Sequence, residues 1–228
     1  MPRVKGPLLY PLEGEGAWPI LNSHLFGTNH RGGHDIVPRS EALPMPWAAL
    51  LGREAPRTLE IGTNRGRFLR DLALAQPDRD HIGIEIRRRY AWRMAHEMGQ
   101  SGSPRNCRIV WGDGKLLAGA LFADGTVADI YINFPDPWWK AKHAKRRLVD
   151  DGYAQSLARL LVGGGSIWIK SDVPAIAQEI AEALASVPGL RGPIPFAQDD
   201  LPLSYRERNC LALGLPIERF RFECPAPP

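Results

Sequence analysis

The sequence predicts an α/β fold with one doubly wound sheet, mostly parallel and closed by an antiparallel strand. Two observations predict it. From Pro56 onward, short runs rich in Ile, Val and aromatic residues alternate with segments whose apolar residues recur at helical spacing. In addition, 228 residues, of which 44% are hydrophobic and 24% charged, are enough to bury one sizeable core. Together these observations exclude a disordered or fibrous chain.

Five runs are predicted to form the strands, because each is short and rich in β-branched or aromatic residues. They are residues 57–61, 81–86, 107–111, 127–134 and 166–169. The segments between and after them carry apolar stripes that should pack as helices against the sheet. The stripes are Phe68, Leu72 and Ala75; Tyr90, Met94 and Met98; Tyr153, Leu157 and Leu160; and Ile176, Ile180 and Leu184.

The two ends of the chain fall outside this alternation. Residues 1–46 contain seven prolines and six glycines without a sustained period, which predicts an irregular N-terminal arm before a domain over residues 47–228. Beyond Leu190 the helical pattern stops. A Gly-Leu-Pro turn and an alternating Arg-Phe-Arg-Phe run then predict a closing antiparallel pair within residues 205–223.

Composition narrows the class of protein. No apolar run approaches the roughly 18 residues that a membrane span needs, and the first residues lack the apolar region of a secretory signal, so we expect a cytoplasmic protein. The three cysteines contain no Cys-x-x-Cys pair, which argues against a disulfide framework or a thiolate zinc site. No cysteine or acid is placed to complete a metal site with His24, His30 and His34, so no metal is predicted.

Acidic residues end consecutive predicted strands. The first strand runs through Leu-Glu-Ile-Gly-Thr-Asn-Arg-Gly into a helix, and Gly62 and Gly66 allow this turn to lie close beneath a nucleoside. Glu85 ends the second strand, where a carboxylate can accept hydrogen bonds from both hydroxyls of a ribose. Asp113 ends the third, although a helix N-cap is an equally good interpretation of this residue. Such strand ends share one crevice, where doubly wound sheets bind their ligands.

The most informative segment follows the fourth strand. Residues 133–147 read Asn-Phe-Pro-Asp-Pro-Trp-Trp-Lys-Ala-Lys-His-Ala-Lys-Arg-Arg. Two prolines fix the backbone on either side of Asp136, so we expect its carboxylate to be held rigidly at the crevice and not freely solvated, which suits an acid that acts by its position. The two tryptophans can stack on a base and the five cations can contact phosphates, so the segment predicts polynucleotide binding. The alternative interpretation is a solvated cationic loop with a buried tryptophan.

On these motifs the chain resembles the bacterial tRNA (guanine-N7)-methyltransferases, Rossmann-like enzymes that use S-adenosylmethionine. The resemblance covers nearly all of residues 57–223, and residues 133–148 are its most specific part. It implies that the cofactor is bound by Glu60, Glu85, Asp113 and Asp136 beside Gly62 and Gly66, with Asp136 also the catalytic acid. It implies substrate contacts by Lys140, Asp172, Ser204, Tyr205, Arg206 and Glu207, and RNA contacts by Lys142, His143, Lys145, Arg146 and Arg147. The implied target is a guanine in the variable loop of tRNA, conventionally position 46.

One position departs from the family pattern. Asn64 stands where the family usually has the middle glycine of Gly-x-Gly-x-Gly. Asparagine enters the left-handed backbone region more readily than most residues, so we expect the turn to survive. Its side chain occupies space near the cofactor, and cofactor affinity is therefore the property that we expect it to affect.

The predicted mechanism assigns a role to each acid. Asp136 would orient the guanine and stabilise the positive charge that develops on it. Glu207 would accept hydrogen bonds from guanine N1–H and the N2 amine, which would exclude adenine. Asp172 would either help to fix that edge or cap the helix that follows it.

Two other functions are compatible with the same residues. One is methylation of an exocyclic amine of a nucleic acid, which needs a proton acceptor. The other is a catalytically silent RNA-binding protein in which Asn64 and Arg65 block the cofactor pocket. We expect tRNA as the partner, no membrane and no obligate protein partner, with the chain a monomer or a homodimer.

Overall fold

The computed structural model describes the backbone of residues 21–22 and residues 43–98, 102–137 and 147–226. Its strands are β1 (Leu21–Asn22), β2 (Arg57–Ile61), β3 (Asp80–Glu85), β4 (Cys107–Trp111), β5 (Val127–Asn133), β6 (Leu161–Ser171), β7 (Arg191–Pro195) and β8 (Glu218–Glu223). Its helices are α1 (Trp47–Leu51), α2 (Arg67–Ala75), α3 (Arg88–Met98), α4 (Gly114–Leu121), α5 (Asp151–Leu160), α6 (Pro174–Ala185) and α7 (Tyr205–Ala212).

The described strands form a single sheet in the order β1-β4-β3-β2-β5-β6-β8-β7. Neighbouring strands from β1 through β6 pair in parallel, whereas β8 pairs antiparallel with both β6 and β7. The predicted fold class, a mostly parallel sheet with a closing antiparallel strand, is therefore confirmed. The five predicted strands all exist, with boundaries that differ by a few residues.

The closing pair differs from the prediction. Residues 205–212 form helix α7, and the antiparallel partners of β8 are β6 and the unpredicted strand β7. The helix begins with a capping box, in which the Ser204 hydroxyl accepts from Glu207 N and the Glu207 carboxylate accepts from Ser204 N. This Ser-x-x-Glu signature is visible in the sequence and marks a helix start. The prediction of a strand there was wrong because it took the Gly-Leu-Pro turn for a hairpin and assigned the segment before it to a partner of the alternating run at 219–222.

Helices cover both faces of the sheet, and the strands are buried accordingly. Every residue of β3 is buried, so the strand lacks the alternation of a half-exposed sheet. The predicted helical stripes are mostly buried, except that Ala75 is exposed and Tyr90 is half-buried. Helix α4 had no predicted stripe because nearly all of its residues are apolar or glycine.

Part of the predicted arm contacts the domain. Leu43 and Met45 pack against the main core, and Met45 N donates to Leu121 O at 3.1 Å. Residues 21–22 pair in parallel with β4. Among the described residues, no helix is long and apolar enough to cross a membrane.

The parallel strands place their carboxyl ends at one edge of the sheet. The turns that follow β2, β3, β4, β5 and β6 therefore meet there, and the start of α7 lies beside them. This edge carries the site described next.

Candidate functional site

A cleft of about 830 Å³ opens at the carboxyl ends of the parallel strands. Its walls bring together most of the site residues that the sequence predicts and that the structure describes. These are Glu60, Gly62, Gly66, Glu85, Asp113, Asp136, Asp172, Ser204, Tyr205 and Arg206. Glu207 is not among the lining residues. Residues far apart in the chain thus form one concave surface, which is the usual form of a small-molecule site.

The turn between β2 and α2 forms the floor of the cleft. Gly62, Asn64 and Gly66 adopt left-handed backbone conformations, with φ of 81°, 52° and 67°. The expectation that asparagine would preserve this turn is therefore confirmed. A Cβ on Gly66 would lie 1.9 Å from Met94 Cε, whereas a Cβ on Gly62 would meet no atom within 4 Å. Gly66 is thus required for packing, and Gly62 leaves open space at the cleft.

Glu60 is a buried acid whose side chain is only partly satisfied. It is 2% exposed, and Asn133 Nδ2 donates to its Oε1 at 3.0 Å. Its Oε2 is buried without a hydrogen-bond partner among the described residues. Burial raises the pKa of Glu60 to about 8; the Asn133 hydrogen bond opposes the rise and nearby Glu85 adds to it. A ligand cation beside this carboxyl would favour its ionised form.

Glu85 joins two turns of the cleft. Its Oε2 accepts from Asn64 N at 2.6 Å, and its Oε1 accepts from Arg87 N at 2.7 Å. Burial raises the pKa of Glu85, and these two amide donors oppose the rise. Each carboxylate oxygen has a second lone pair, so Glu85 can still accept hydrogen bonds from ribose hydroxyls, and this contact stays a prediction.

Asp113 caps a helix and also lines the cleft, so its contact with the cofactor stays a prediction. Its side chain accepts from Lys115 N at 2.9 Å, which caps α4. It also lines the cleft.

Asp136 lies at the mouth of the cleft on the loop that leaves β5. The loop begins at Phe134, whose φ is 53° and whose N–H donates to Lys170 O at 2.7 Å. The Asp136 side chain is 62% exposed and lies 3.4 Å from Arg87 Nη2. The two prolines hold the backbone at the cleft, but the carboxylate is more solvated than the sequence led us to expect.

The start of α7 forms the opposite wall. Arg206 donates to Asp172 Oδ2 through Nε at 3.0 Å and through Nη2. The Arg65 guanidinium lies 4.3 Å from the centre of the Tyr205 ring, which connects this wall to the turn after β2. Asp172 is therefore an ion-pair partner in the structure, and no side-chain cap of α6 is formed by its N-cap residue, Val173.

Glu207 lies behind this wall and not in the cleft. Its side chain is fully buried and is paired with Lys170 and Arg219. To contact a guanine, the carboxylate would have to leave these partners. The structure thus does not bring Glu207 to the position that the resemblance implies for it.

The predicted RNA-contacting residues are described only at one end. Lys140, Lys142, His143, Lys145 and Arg146 lie outside the described residues, as do Trp138 and Trp139. Arg147 donates from Nη1 to both carboxylate oxygens of Glu179, each at 2.5 Å. A contact with RNA phosphate would compete with this pair.

Four residues in or beside the site make contacts that sequence reasoning did not predict. Asn133 binds Glu60, Arg87 binds Asp136, Arg65 contacts Tyr205, and Lys170 binds Glu207. Asn133 begins the motif of residues 133–147 and Arg87 is two residues after Glu85, so their closeness to predicted site residues was a signal that the sequence offered. The partners of Arg65 and Lys170 come from distant parts of the chain and could not be read from spacing.

The cleft fits S-adenosylmethionine, which is a nucleoside with two cationic groups. A buried carboxyl with an unpartnered oxygen suits a cation, and the open space at Gly62 allows a ligand to approach the backbone. Glu85 ends the strand next to β2, the position from which an acid contacts a ribose in doubly wound folds.

Comparison with known proteins identifies relatives over most of the chain. A family model described as a putative methyltransferase matches residues 54–193. A tRNA (guanine-N(7)-)-methyltransferase of Anaeromyxobacter dehalogenans is 41% identical over 82% of this chain and 95% of the relative. The corresponding protein of Myxococcus xanthus is 32% identical over 82% of this chain and 92% of its own length. The solved 16S rRNA methyltransferase KamB matches with a TM-score of 0.60 at 13% identity, covering 86% of this chain and 98% of that one, which supports the fold alone.

Proposed function

Because the chain belongs to the tRNA (guanine-N7)-methyltransferase family, we propose that it transfers a methyl group from S-adenosylmethionine to N7 of a guanine in tRNA. The observation that carries this proposal is the cleft itself. It holds a buried, incompletely satisfied acid at Glu60 and an exposed, proline-bracketed acid at Asp136. These two acids suit a cationic donor and a reaction that creates a cationic product.

Glu60, Glu85 and Asp113 would hold the cofactor, with Gly62 and Gly66 allowing its close approach to the backbone. When bound, S-adenosylmethionine supplies an electrophilic methyl group on its sulfonium. Glu60 would provide negative charge to a cationic group of the ligand, and Glu85 would accept from ribose hydroxyls. Asn64 keeps the turn in place, and its backbone N–H already orients the Glu85 carboxylate.

The reaction places few chemical demands on the protein. Guanine N7 has a free lone pair and no proton, so no side chain has to act as a base before attack. Positioning therefore dominates, and holding two reactants in line supplies roughly 7 to 11 kcal/mol of a barrier. Asp136 would orient the guanine and stabilise the positive charge that grows on it. Arg87, which contacts Asp136, would direct that carboxylate along the cleft mouth.

The RNA would lie across the mouth of the cleft. The wall next to the mouth is lined by Tyr205, Arg206 and Asp172. In the sequence, the basic segment of residues 140–147 follows the loop that carries Asp136. A guanine of the tRNA variable loop, conventionally position 46, is the target that we propose. We place the enzyme in the cytoplasm, where tRNA is found, as a monomer or homodimer without an obligate protein partner.

A nucleoside analysis tests the proposed function. The purified protein is incubated with labelled methyl donor and undermodified tRNA, and the RNA is digested to nucleosides. We expect label in 7-methylguanosine, at one site of the tRNA. Label in an N-methylated exocyclic amine would support the first alternative function, and its rate should fall at low pH because an amine must lose a proton.

Cofactor titration tests the second alternative, a silent RNA-binding protein. We expect measurable binding of S-adenosylhomocysteine to the wild-type protein by calorimetry. Binding of tRNA without binding of this ligand would contradict the proposal.

A further inference from the structure

A buried ion cluster lies beneath the wall of the cleft that α7 forms. The Glu207 Oε2 accepts from Lys170 Nζ at 2.7 Å, and its Oε1 accepts from Arg219 Nε and Nη2 at 3.1 and 3.0 Å. Oε2 also accepts from Ser204 N at 3.3 Å. The Glu207 and Lys170 side chains are 0% and 1% exposed. Every oxygen of this carboxylate is thus engaged by protein donors in a site closed to solvent.

The cluster connects α7 to two neighbouring strands. Lys170 of β6 and Arg219 of β8 are register partners, so they stand side by side and reach the same carboxylate. Lys170 Nζ also donates to Pro202 O at 3.3 Å, just before the helix. The polypeptide on both sides of Ser204 is therefore attached to the sheet.

A second attachment lies on the cleft side of the same helix turn. Asp172, two residues after Lys170, holds the Arg206 guanidinium. Glu207 faces the sheet while Tyr205 and Arg206 face the cleft, and these three residues are consecutive. Fixing Glu207 therefore fixes the direction in which its two neighbours project.

We propose that Glu207 is a positioning residue, which orients Tyr205 and Arg206 along the cleft and does not itself contact the guanine. This inference rests on the proposed function for the identity of the substrate, and on the ion cluster for the role of the residue. A carboxylate with a lysine and an arginine at hydrogen-bond distance has no free strong acceptor for the guanine edge. Withdrawing it would leave the buried Lys170 and the half-buried Arg219 without their counter-ion, which is an unfavourable change.

The sharpest test compares E207Q with R219M. Arg219 lies outside the lining of the cleft, so it cannot touch a guanine in this arrangement. If Glu207 positions the wall, both variants should raise the KM for tRNA about tenfold or more with a smaller change in kcat. The KM of the double variant should be no higher than that of the more impaired single variant, because both substitutions disrupt the same ion cluster. Equal behaviour of R219M and wild type, with E207Q impaired, would overturn the proposal.

A substrate analogue separates orientation from base recognition. A tRNA with inosine at the target position lacks the exocyclic amine of guanine but retains N7. We expect the ratio of kcat/KM for guanine over inosine to agree within about twofold between wild type and E207Q. A ratio that falls to one in E207Q alone would show that Glu207 reads the guanine edge, and would overturn the proposal.

Amide hydrogen exchange supplies a readout that does not depend on activity. In E207Q and R219M, residues 204–208 should lose protection while helix α2 keeps it. E218Q is the matched control, because Glu218 is an exposed acid on the same strand as Arg219. If E207Q does not fold, R219K replaces it, since it retains the charge and loses the two-pronged contact, and should give an intermediate loss of protection. Unchanged protection in the folded variants would overturn the positioning role, whereas a wild-type protein without 7-methylguanosine activity would instead remove the proposed function.

Discussion

The two walls of the cleft hold their acids in different states. In the wall formed by β2 and β3, Glu60 and Glu85 are 2% and 3% exposed and accept hydrogen bonds from an asparagine amide or backbone N–H groups. In the second wall, formed by the loops after β5 and β6 and by α7, Asp136 and Asp172 each contact an arginine side chain, and Glu207 behind this wall contacts Lys170 and Arg219. Among the described residues, the acids Glu60 and Glu85 of the first wall thus form no ion pair, whereas those of the second wall do.

This difference indicates how one cleft can bind two different ligands. Burial raises the pKa of Glu60 to about 8, so the charge of the first wall depends on whether a cationic ligand is present. Asp136 and Asp172 already contact arginine side chains, and the second wall therefore presents a fixed pattern of ion pairs. We infer that the first wall responds to the methyl donor while the second is preorganised for RNA.

The largest expected effect comes from Asp136, the most exposed acid of the second wall. In D136A, single-turnover methylation at saturating cofactor and tRNA should slow by about 10²- to 10³-fold, because a fixed charge next to the developing cation is lost. The affinity for S-adenosylhomocysteine should persist within about tenfold. Rapid-quench measurement of the methylation rate and calorimetry of the ligand check the two parts.

The matched control is D199A, which removes an exposed aspartate from the short 3-10 turn before α7. It should methylate at the wild-type rate. A D136A methylation rate within a few-fold of wild type would show that Asp136 does not contribute to the reaction. The second wall would then not differ from the first in its effect on this rate.

The next effect concerns the backbone of the first wall. G66A should lower the free energy of unfolding by about 2 kcal/mol or more, because φ of 67° disfavours a side chain and the new Cβ would meet Met94. G62A carries similar backbone strain but no crowding, so its loss should be smaller, about 1 kcal/mol. Urea unfolding of both variants measures the difference. Equal losses would mean that Met94 moves aside without penalty.

The pH dependence of ligand binding sharpens the contrast between the walls. The pKa of Glu60 is raised to about 8, so below that pH the unliganded protein carries a proton there. If a cationic ligand group requires the carboxylate, binding releases this proton, and affinity should increase as pH rises from 6 to 8, by at most about tenfold per unit. Calorimetry with S-adenosylhomocysteine in buffers of different ionisation enthalpy counts the released protons. The E60Q variant should bind S-adenosylhomocysteine more weakly and release fewer protons on binding. Proton release equal to that of wild type would show that Glu60 is not the group that releases the proton.

The same shift has a consequence for stability, with a definite sign. A carboxyl whose pKa is higher in the folded than in the unfolded protein stabilises the fold at low pH and loses that contribution as pH rises through its folded pKa. The free energy of unfolding of E60Q should therefore gain on that of wild type between pH 5 and pH 8. A constant difference across this range, measured by urea unfolding, would contradict the raised pKa.

Much of the fold was predictable because its signals are local. The β-rich runs and helical stripes predict the parallel core, and strand ends carrying Glu60, Glu85 and Asp136 predict the cleft. Helix α7 was not predicted although its capping box is a local signal. The alternating residues around Phe220 led us to predict an antiparallel pair over the whole segment. The insertion of β8 between β6 and β7 is a long-range choice that no spacing in the sequence encodes.

The ion pairs of the site were less predictable, because their partners come from distant parts of the chain. Glu207 matches a family position, yet its role depends on Lys170 and Arg219, which approach it only after β6 and β8 pair. Sequence reveals which acids are present but not which of them have cations beside them. The exposed side chain of Asp136 is a further case, since proline brackets predict a fixed backbone and not the burial of the side chain.

The smallest expected effect is at Arg147, the described end of the basic segment. Because Arg147 is paired with Glu179, R147A should reduce the slope of log K for tRNA on log salt by clearly less than the ~0.9 expected for one full phosphate contact. K145A and R146A should each reduce it by more. E179Q should move the slope in the opposite direction, since it frees a guanidinium for phosphate. R159A on α5 serves as the control, because Arg159 lies outside the basic segment and is likewise paired with an acid, Asp124. A full loss of ~0.9 in R147A, measured by filter binding between about 50 and 200 mM salt, would show that RNA displaces Glu179 from Arg147.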